Sequence, residues 1–277
     1  MILVTGATGN IGSALLRELH ACGAGPVRAL TRDASQAAFP EEVEAVEGDF
    51  AVAQTLKPAL DGVRSLFLPS RTGPDADILA AARRAGVEHV VLVSSITVQT
   101  HPHLGPADEN LTVEGLLKDS GMDWTVLRPT QFASNALMWA GPIRDGVAVR
   151  APYADTGLPT IHPADIASVA RAALTGPGHR GRTYALTGPE PVTARQQVQA
   201  IAAELGRDVP FIEIGRQEAR APMAAVFGEE AADAVLDVTG GDVNDELLAV
   251  RDTVSRVTGS PARPFRQWAA ENAHRFR

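Results

Sequence analysis

The chain has 277 residues, 45% of them hydrophobic and 21% charged, enough to bury the core of one large α/β unit. Its formal net charge of −8, without a basic run, argues against a nucleic-acid surface, and no apolar run is long enough to span a bilayer. The one cysteine, Cys22, has no intrachain partner, and it falls on the apolar face of the first predicted helix, where core packing is its expected role.

Residues 2–12 read Ile-Leu-Val-Thr-Gly-Ala-Thr-Gly-Asn-Ile-Gly: a strand that runs straight into three spaced glycines, then an apolar-periodic helix. Gly6 permits a sharp strand-to-helix turn, Gly9 lets backbone approach a pyrophosphate, and Gly12 lets helix pack on strand. The helix start at Asn10 and Ile11, with Thr8 before it, turns free N–H groups and a positive dipole end toward phosphates. A bound dinucleotide is the expectation. Because this strand begins at residue 2, a cytoplasmic protein is expected.

Further strands are predicted at 26–31, 43–46, 64–68, 89–94 and 123–127, with helices near 10–22, 52–60, 74–85 and 107–119. In the first helix Ile11, Leu15 and Leu19 share a face while Arg17 and Glu18 point away. His89-Val-Val-Leu-Val-Ser94 is nearly continuously apolar, as a strand covered on both faces should be. The alternation predicts an α/β fold with a doubly wound parallel sheet and a ligand crevice at the strands' carboxyl ends.

Beyond residue 140 the pattern loosens. Pro and Gly crowd 141–163, a helix is predicted over Asp165–Leu174 and a strand over Thr183–Leu186, and 193–205, 216–236 and 244–276 read mostly as helices. One dinucleotide-binding core is expected from 1–130 plus about 160–187, with a small C-terminal substrate lobe from about 131–159 and 188–277.

The second strand selects the dinucleotide. NAD-binding folds of this kind usually end that strand on a carboxylate that accepts from the ribose 2′-OH. Here Thr31 and Arg32 occupy the tip, and Arg32 can hold a 2′-phosphate with paired donors, so NADP (as NADPH) is expected over NAD. Asp33, one residue on, is either a turn residue or a ribose acceptor. Asp49 and Phe50, after the third strand, either meet the adenine or form an ordinary turn.

Taken together, the motifs resemble the NmrA-like group of atypical short-chain dehydrogenase/reductases, which carry a Rossmann fold. The matching pieces are Thr5 to Gly12, Val27 to Arg32, Glu47-Gly48-Asp49, Val93-Ser94-Ser95, Ser120 to Pro129, Asp165-Ile166-Ala167, Tyr184 to Gly188 and Phe265 to Trp268. The resemblance implies that Pro69, Ser94 and Pro129, at strand ends, lie along the cofactor, and that Ser95 stands where the superfamily has its catalytic serine. A strand-end cap and a cofactor contact are the other readings of Ser95.

The departure concerns catalysis. Most short-chain reductases carry Tyr-x-x-x-Lys on the helix after the fifth strand, where the lysine charge acidifies the phenol. This chain has two tyrosines, Tyr153 and Tyr184, each followed four residues later by glycine. Setting Glu114 against the acid that the family often has on this helix puts Pro106 and Asn110 at the missing positions. Asn110 can bond a nicotinamide ribose but brings no charge. Lys118, four residues after Glu114, suggests a surface ion pair.

Some NmrA-like proteins are NADPH:quinone oxidoreductases, and a quinone tolerates the missing pair because its reduced anion is delocalised. The resemblance therefore implies hydride transfer to a quinone or another conjugated carbonyl compound. The alternatives are an NADP-binding redox-sensing regulator and a tailoring enzyme acting on a polyaromatic metabolite. Candidate substrate contacts are Gln131, Phe132 and Asn135 after the sixth strand, with Trp139 and Tyr153 as aromatic walls and His162 bordering the pocket. Phe132 and Trp139, seven apart, equally suit one helix's core face, and Pro163 as a first helical residue explains His162 structurally. His101 and His103 border the fifth strand as possible proton donors, and no metal site is expected. A second subunit could meet the helices near 107–119 and 133–140.

Overall fold

Strand β1 (Ile2–Val4) runs into α1 (Asn10–Ala21), followed by β2 (Val27–Thr31), β3 (Val43–Glu47), α2 (Lys57–Leu60) and β4 (Ser65–Pro69). Next come α3 (Asp75–Arg84), β5 (His89–Val93), the single turn α4 (Thr97–Thr100), α5 (Gly105–Asp119) and β6 (Asp123–Pro129). A 3-10 segment, Ala133–Trp139, leads to α6 (Ala140–Arg144), β7 (Val149–Ala151), α7 (Pro163–Thr175) and β8 (Arg182–Leu186). The chain ends through α8 (Ala194–Leu205), β9 (Phe211–Glu213), α9 (Arg216–Phe227), α10 (Glu229–Leu236), α11 (Asp245–Leu248), α12 (Thr253–Thr258) and α13 (Phe265–Asn272). This computed structural model describes every residue except Gln36, Ala37 and Phe50.

The main sheet has seven strands in the order β3-β2-β1-β4-β5-β6-β8, all parallel. It is the doubly wound sheet expected from the alternation of elements. Strand order reverses between β1 and β4, and a crevice opens where the connections leave in opposite directions. One face buries Val4, Leu15, Leu19, Phe67, Val91, Ile166 and Val169 beneath α1 and α7. The other buries Leu3, Leu66, Leu68, Ile78, Val90, Leu92 and Leu117 beneath α3 and α5. The residues of β2 and β5 are all buried, and β5 reads as a nearly unbroken apolar run for that reason, while β2 carries Arg28 inside, bonded to Glu44 and the Ala59 carbonyl.

A third cluster joins Ala136, Ile143, Val149, Val198, Ile201, Phe265, Trp268 and Phe276, with β7 and β9 paired as a separate parallel ribbon. Segment α12 does not share it: Val254 lies in the core beneath α7.

Several expectations need correction. Cys22 is exposed, because α1 ends at Ala21 and its thiol meets only the Leu19 carbonyl at 3.4 Å. Glu18 faces α7 rather than solvent, accepting from Arg171 Nε at 3.0 Å and bonding Ser168. The stretch 216–236, read as mostly helical, holds two helices, separated at Gly228 with φ +85°. The stretch 244–276 is α11, α12, α13 and a terminal 3-10 turn, interrupted at Ala249 in extended backbone, at Gly259 and before Pro264.

Candidate active site

The glycine turn closes β1 onto α1. Gly6 has φ +58°, its carbonyl accepts from Gly9 N at 2.9 Å, and a Cβ at Gly12 would collide with the Gly6 backbone. Gly9 caps α1 without any side-chain bond, so the first N–H groups of the helix stay open, flanked by exposed Thr8 and Asn10 with Ile11 half-buried. Pro69, at the end of β4, reaches within 3.4 Å of the Cβ position of Gly6. The turn and Pro69 thus face each other across the point where strand order reverses. An open helix start over a glycine cradle suits a dinucleotide pyrophosphate.

At the tip of β2, Thr31 is buried and its hydroxyl bonds to the Asp33 main chain. Arg32 is exposed. Asp33 holds a local turn, its Oδ1 accepting from Ser35 N at 2.9 Å and Ser35 Oγ at 2.6 Å. Asp49 does the same after β3, accepting from Ala51 N at 2.9 Å. Phe50, expected beside it at the adenine, lies outside the described residues.

Helix α5 is fastened to three successive strand ends by two polar residues one turn apart. Asn110 accepts from Ser70 Oγ, just beyond β4, at 2.5 Å and donates to Pro106 O at 2.7 Å. Glu114 is fully buried, with Ser94 Oγ donating to Oε1 at 2.8 Å and Arg128 bridging both oxygens at 2.9 and 2.7 Å. Lys118 adds a bond at 3.2 Å. The surface ion pair expected from the Glu114–Lys118 spacing is therefore one edge of a buried carboxylate site. Burial opposes the charge of Glu114, yet the bonds from Arg128 and Ser94 outweigh it and hold the carboxyl below its ordinary range.

Ser95 follows β5, and its Oγ accepts from Thr97 N at 3.2 Å and Thr97 Oγ1 at 2.8 Å. Pro129 accepts from Ile96 N through its carbonyl at 3.0 Å. The Gln131 carbonyl accepts from Ile161 N at 2.8 Å, Phe132 bridges Ile161, and Asn135 is exposed. Phe132 packs on the sheet's core and Trp139 on the separate cluster of Phe265 and Trp268, so the seven-residue spacing does not make one face.

His162 is buried and caps α7, its Nδ1 accepting from Ala164 N at 3.0 Å while Nε2 stands 3.2 Å from Glu271 of α13. Burial pushes its pKa down and Glu271 pulls the other way. His101 bonds Thr100 Oγ1 at 2.8 Å and the Asp242 carbonyl at 2.6 Å; exposed His103 lies 4.0 Å from the Asp242 carboxylate. Sequence reasoning did not pair Ser70 with Asn110 or Tyr153 with Arg216. Each pair joins separate elements, and no short-range spacing announces it.

A doubly wound sheet with an open glycine turn at its reversal point defines a dinucleotide-binding protein. Residues 6–177 match the NAD(P)H-binding family model, and the chain belongs to that family. It is 41% identical, over the whole chain and 99% of the relative, to a (4-alkanoyl-5-oxo-2,5-dihydrofuran-3-yl)methyl phosphate reductase of Streptomyces griseus. It is 35% identical, over the whole chain and 99% of the relative, to an NAD(P)H azoreductase of Xenophilus azovorans. The crystal structure of an NADPH-dependent quinone oxidoreductase of Escherichia coli, complexed with NADPH, superposes with a TM-score of 0.79 at 26% identity over 98% of this chain and 99% of that one. The chain is an oxidoreductase of this family. Among the described residues no helix is long and apolar enough to cross a membrane.

Proposed function

We propose that the chain is an NADPH-dependent reductase of a flat, electron-poor acceptor, a quinone or other conjugated carbonyl compound, working without a Tyr-x-x-x-Lys pair. The observation that carries this is on α5, where Asn110 is bonded to Ser70 and to the Pro106 carbonyl; setting Glu114 against the family's acid puts these two residues, Pro106 and Asn110, at the positions of that pair. An isolated ketone needs a strong acid there, because its reduced oxygen carries a localised charge. A conjugated acceptor spreads that charge over its ring, so positioning and weak donors suffice. The relatives' names fit one acceptor type: a dihydrofuranone bearing an alkanoyl group, an azo compound and a quinone all accept hydride into a conjugated system.

Bound at the glycine turn, NADPH supplies the hydride. The N-terminus of α1 holds the pyrophosphate, and Arg32 reaches the 2′-phosphate while the Asp33 carboxylate is committed to Ser35. Pro69, Ser94 and Pro129 line the cofactor's path along the strand ends, and Gln131, Phe132 and Asn135 face the acceptor from the segment after β6. The segments around Ala133–Ala151 and Ala194–Glu213, with α13, form the lobe that covers the acceptor.

The test follows NADPH absorbance with a panel of a naphthoquinone, an azo dye and an acylated dihydrofuranone phosphate. Oxidation with at least one of them is expected. Tight NADPH binding without oxidation by any would replace this reading with that of a redox-sensing regulator.

A further inference from the structure

A tyrosine and an arginine meet away from α5. Tyr153 lies half-buried in the loop after β7, and Arg216 opens α9. Arg216 Nη1 donates to Tyr153 Oη at 3.3 Å and to Asp237 Oδ1 at 2.7 Å. The bond fills one acceptor lobe of the phenol oxygen, and among the described residues the phenol O–H finds no acceptor of its own.

Tyr153 is also strained. Its φ of +54° is one that a bulky side chain rarely adopts, a cost that persists only where surrounding structure enforces it. The enforcing structure is a strap between α10 and α12. Gly240 lies so close to the tyrosine ring that no side chain would fit, and a Cβ at Gly241 would stand 2.9 Å from Tyr153 Oη. The next residue, Asp242, accepts from His101 Nε2 at 2.6 Å, and Asn244 Nδ2 donates to the Thr100 carbonyl at 2.9 Å. Leu247 is buried with Ile96, the residue after Ser95, and with Leu158 on the loop that carries Tyr153. One end of the strap therefore lies on Tyr153 and the other is fixed beyond the carboxyl end of β5.

We propose that Tyr153 is the proton donor of the reduction, and that Arg216 orients its oxygen and holds the phenolate left behind. This rests on the reductase reading above. The acceptor gains a hydride at carbon, forming a C–H bond and moving an electron pair onto its conjugated oxygen. The Tyr153 O–H bond breaks as the acceptor takes that proton, and the phenolate, held by the Arg216 N–H, regains a proton from water. The arrangement restores a phenol beside a cation, assembled from two elements 63 residues apart instead of one helix face.

The surrounding charges leave Arg216 as the cation bonded to the phenol. Arg216 also faces Asp233 at 3.3 Å, but that carboxylate is bridged by Arg220 at 2.9 and 2.8 Å. From the neighbouring elements, Glu213 accepts from Ala154 N at 3.1 Å, and Asp155 pairs with Arg195 at 3.1 Å. The pKa of Arg216 is raised, first by its bond to Tyr153, so its charge is secure across the working pH range.

The experiment compares Tyr153→Phe with Tyr184→Phe, which alters the other of the two tyrosines. Tyr153→Phe keeps the ring against Gly240, so folding is preserved and is checked by circular dichroism. With NADPH and a naphthoquinone or an acyl-dihydrofuranone, Tyr153→Phe should lower kcat by about tenfold or more while KM moves less than about threefold. Its NADPH affinity by calorimetry should match the wild type, and Tyr184→Phe should behave as wild type. Arg216→Met should lower kcat, and Arg216→Lys should recover part of the loss. A second arm omits the cofactor: binding of a hydroxynaphthoquinone anion, an oxyanion for the phenol O–H to bond, should weaken about tenfold in Tyr153→Phe. Wild-type kcat in Tyr153→Phe overturns the proposal. Should none of the acceptors support NADPH oxidation by the wild type, the reductase reading falls. The binding arm then still decides on Tyr153, because unchanged anion affinity in Tyr153→Phe removes its role as donor.

Discussion

Arg128 grips both carboxylate oxygens of Glu114, a residue with no exposed surface, and so joins β6 to the middle of α5 directly beneath Ser94. Removing one partner of a buried pair leaves the other charged and unsolvated, which typically costs about 3–5 kcal/mol. Arg128→Met should therefore lower unfolding stability by about 3 kcal/mol, the low end of that range because Lys118 remains 3.2 Å away. Urea unfolding at neutral pH measures it, and a loss below about 1 kcal/mol would mean that the pair contributes little. The pH dependence has a definite sign. Glu114 is depressed in the folded state, so its contribution is complete above the unfolded carboxylate value of 4.5 and is lost as pH falls through the lower folded value.

His89 sets a second, higher acid limit. Its Nε2 lies 2.9 Å from Thr125 Oγ1, and Thr125 donates its one hydroxyl hydrogen to the His179 carbonyl at 2.8 Å. Nε2 must then be the donor, which leaves a neutral ring with a bare Nδ1. Burial, assisted by the charge of Arg180, lowers the pKa from 6.5 to about 4. The unfolded chain thus binds a proton between those values that the folded chain refuses, so stability falls with pH across that window. The loss should reach roughly 2–3 kcal/mol by pH 4. Unfolding midpoints at closely spaced pH values should show the decline in the wild type and a flatter profile in His89→Gln. A wild-type profile level down to pH 5 would contradict this account of His89.

These two residues also show which features the sequence made legible. His89 opens a strand whose every residue is buried, and a continuous apolar run announces such a strand without help from tertiary structure. The glycine turn was legible for the same reason: its chemistry is local, set by Gly6 and Gly12 within seven residues. Glu114 reads as a surface residue because Asn110 and Lys118, four residues to either side of it on α5, are polar, and only Arg128 and Ser94, supplied by strand ends, make its position an interior one. Tyr153 and Arg216 come from separate segments, and no periodicity links them. The helical character of 216–236 and 244–276 is legible in apolar spacing, but the breaks inside them are not, because that spacing survives across Gly228 and Gly259, where positive φ turns the backbone.

The proposed contact of Arg32, at the tip of β2, with the 2′-phosphate can be tested separately from dinucleotide binding itself. Asp33 accepts two bonds from Ser35, so its carboxylate is turned into the local bend. Arg32, exposed next to it, is the side chain available for a 2′-phosphate, and a charge-assisted contact of this kind is worth roughly 1.5–3 kcal/mol. Arg32→Ala should weaken NADPH binding by about 10- to 100-fold and leave NADH binding within about twofold, both by calorimetry. Gly12→Val provides the contrast, since its side chain would collide with the Gly6 backbone and push α1 off the turn, so affinity for both dinucleotides should be lost together. An Arg32→Ala protein that keeps its preference for NADPH would move the phosphate contact to another residue. A Gly12→Val protein that still bound either nucleotide would remove the turn itself from the site.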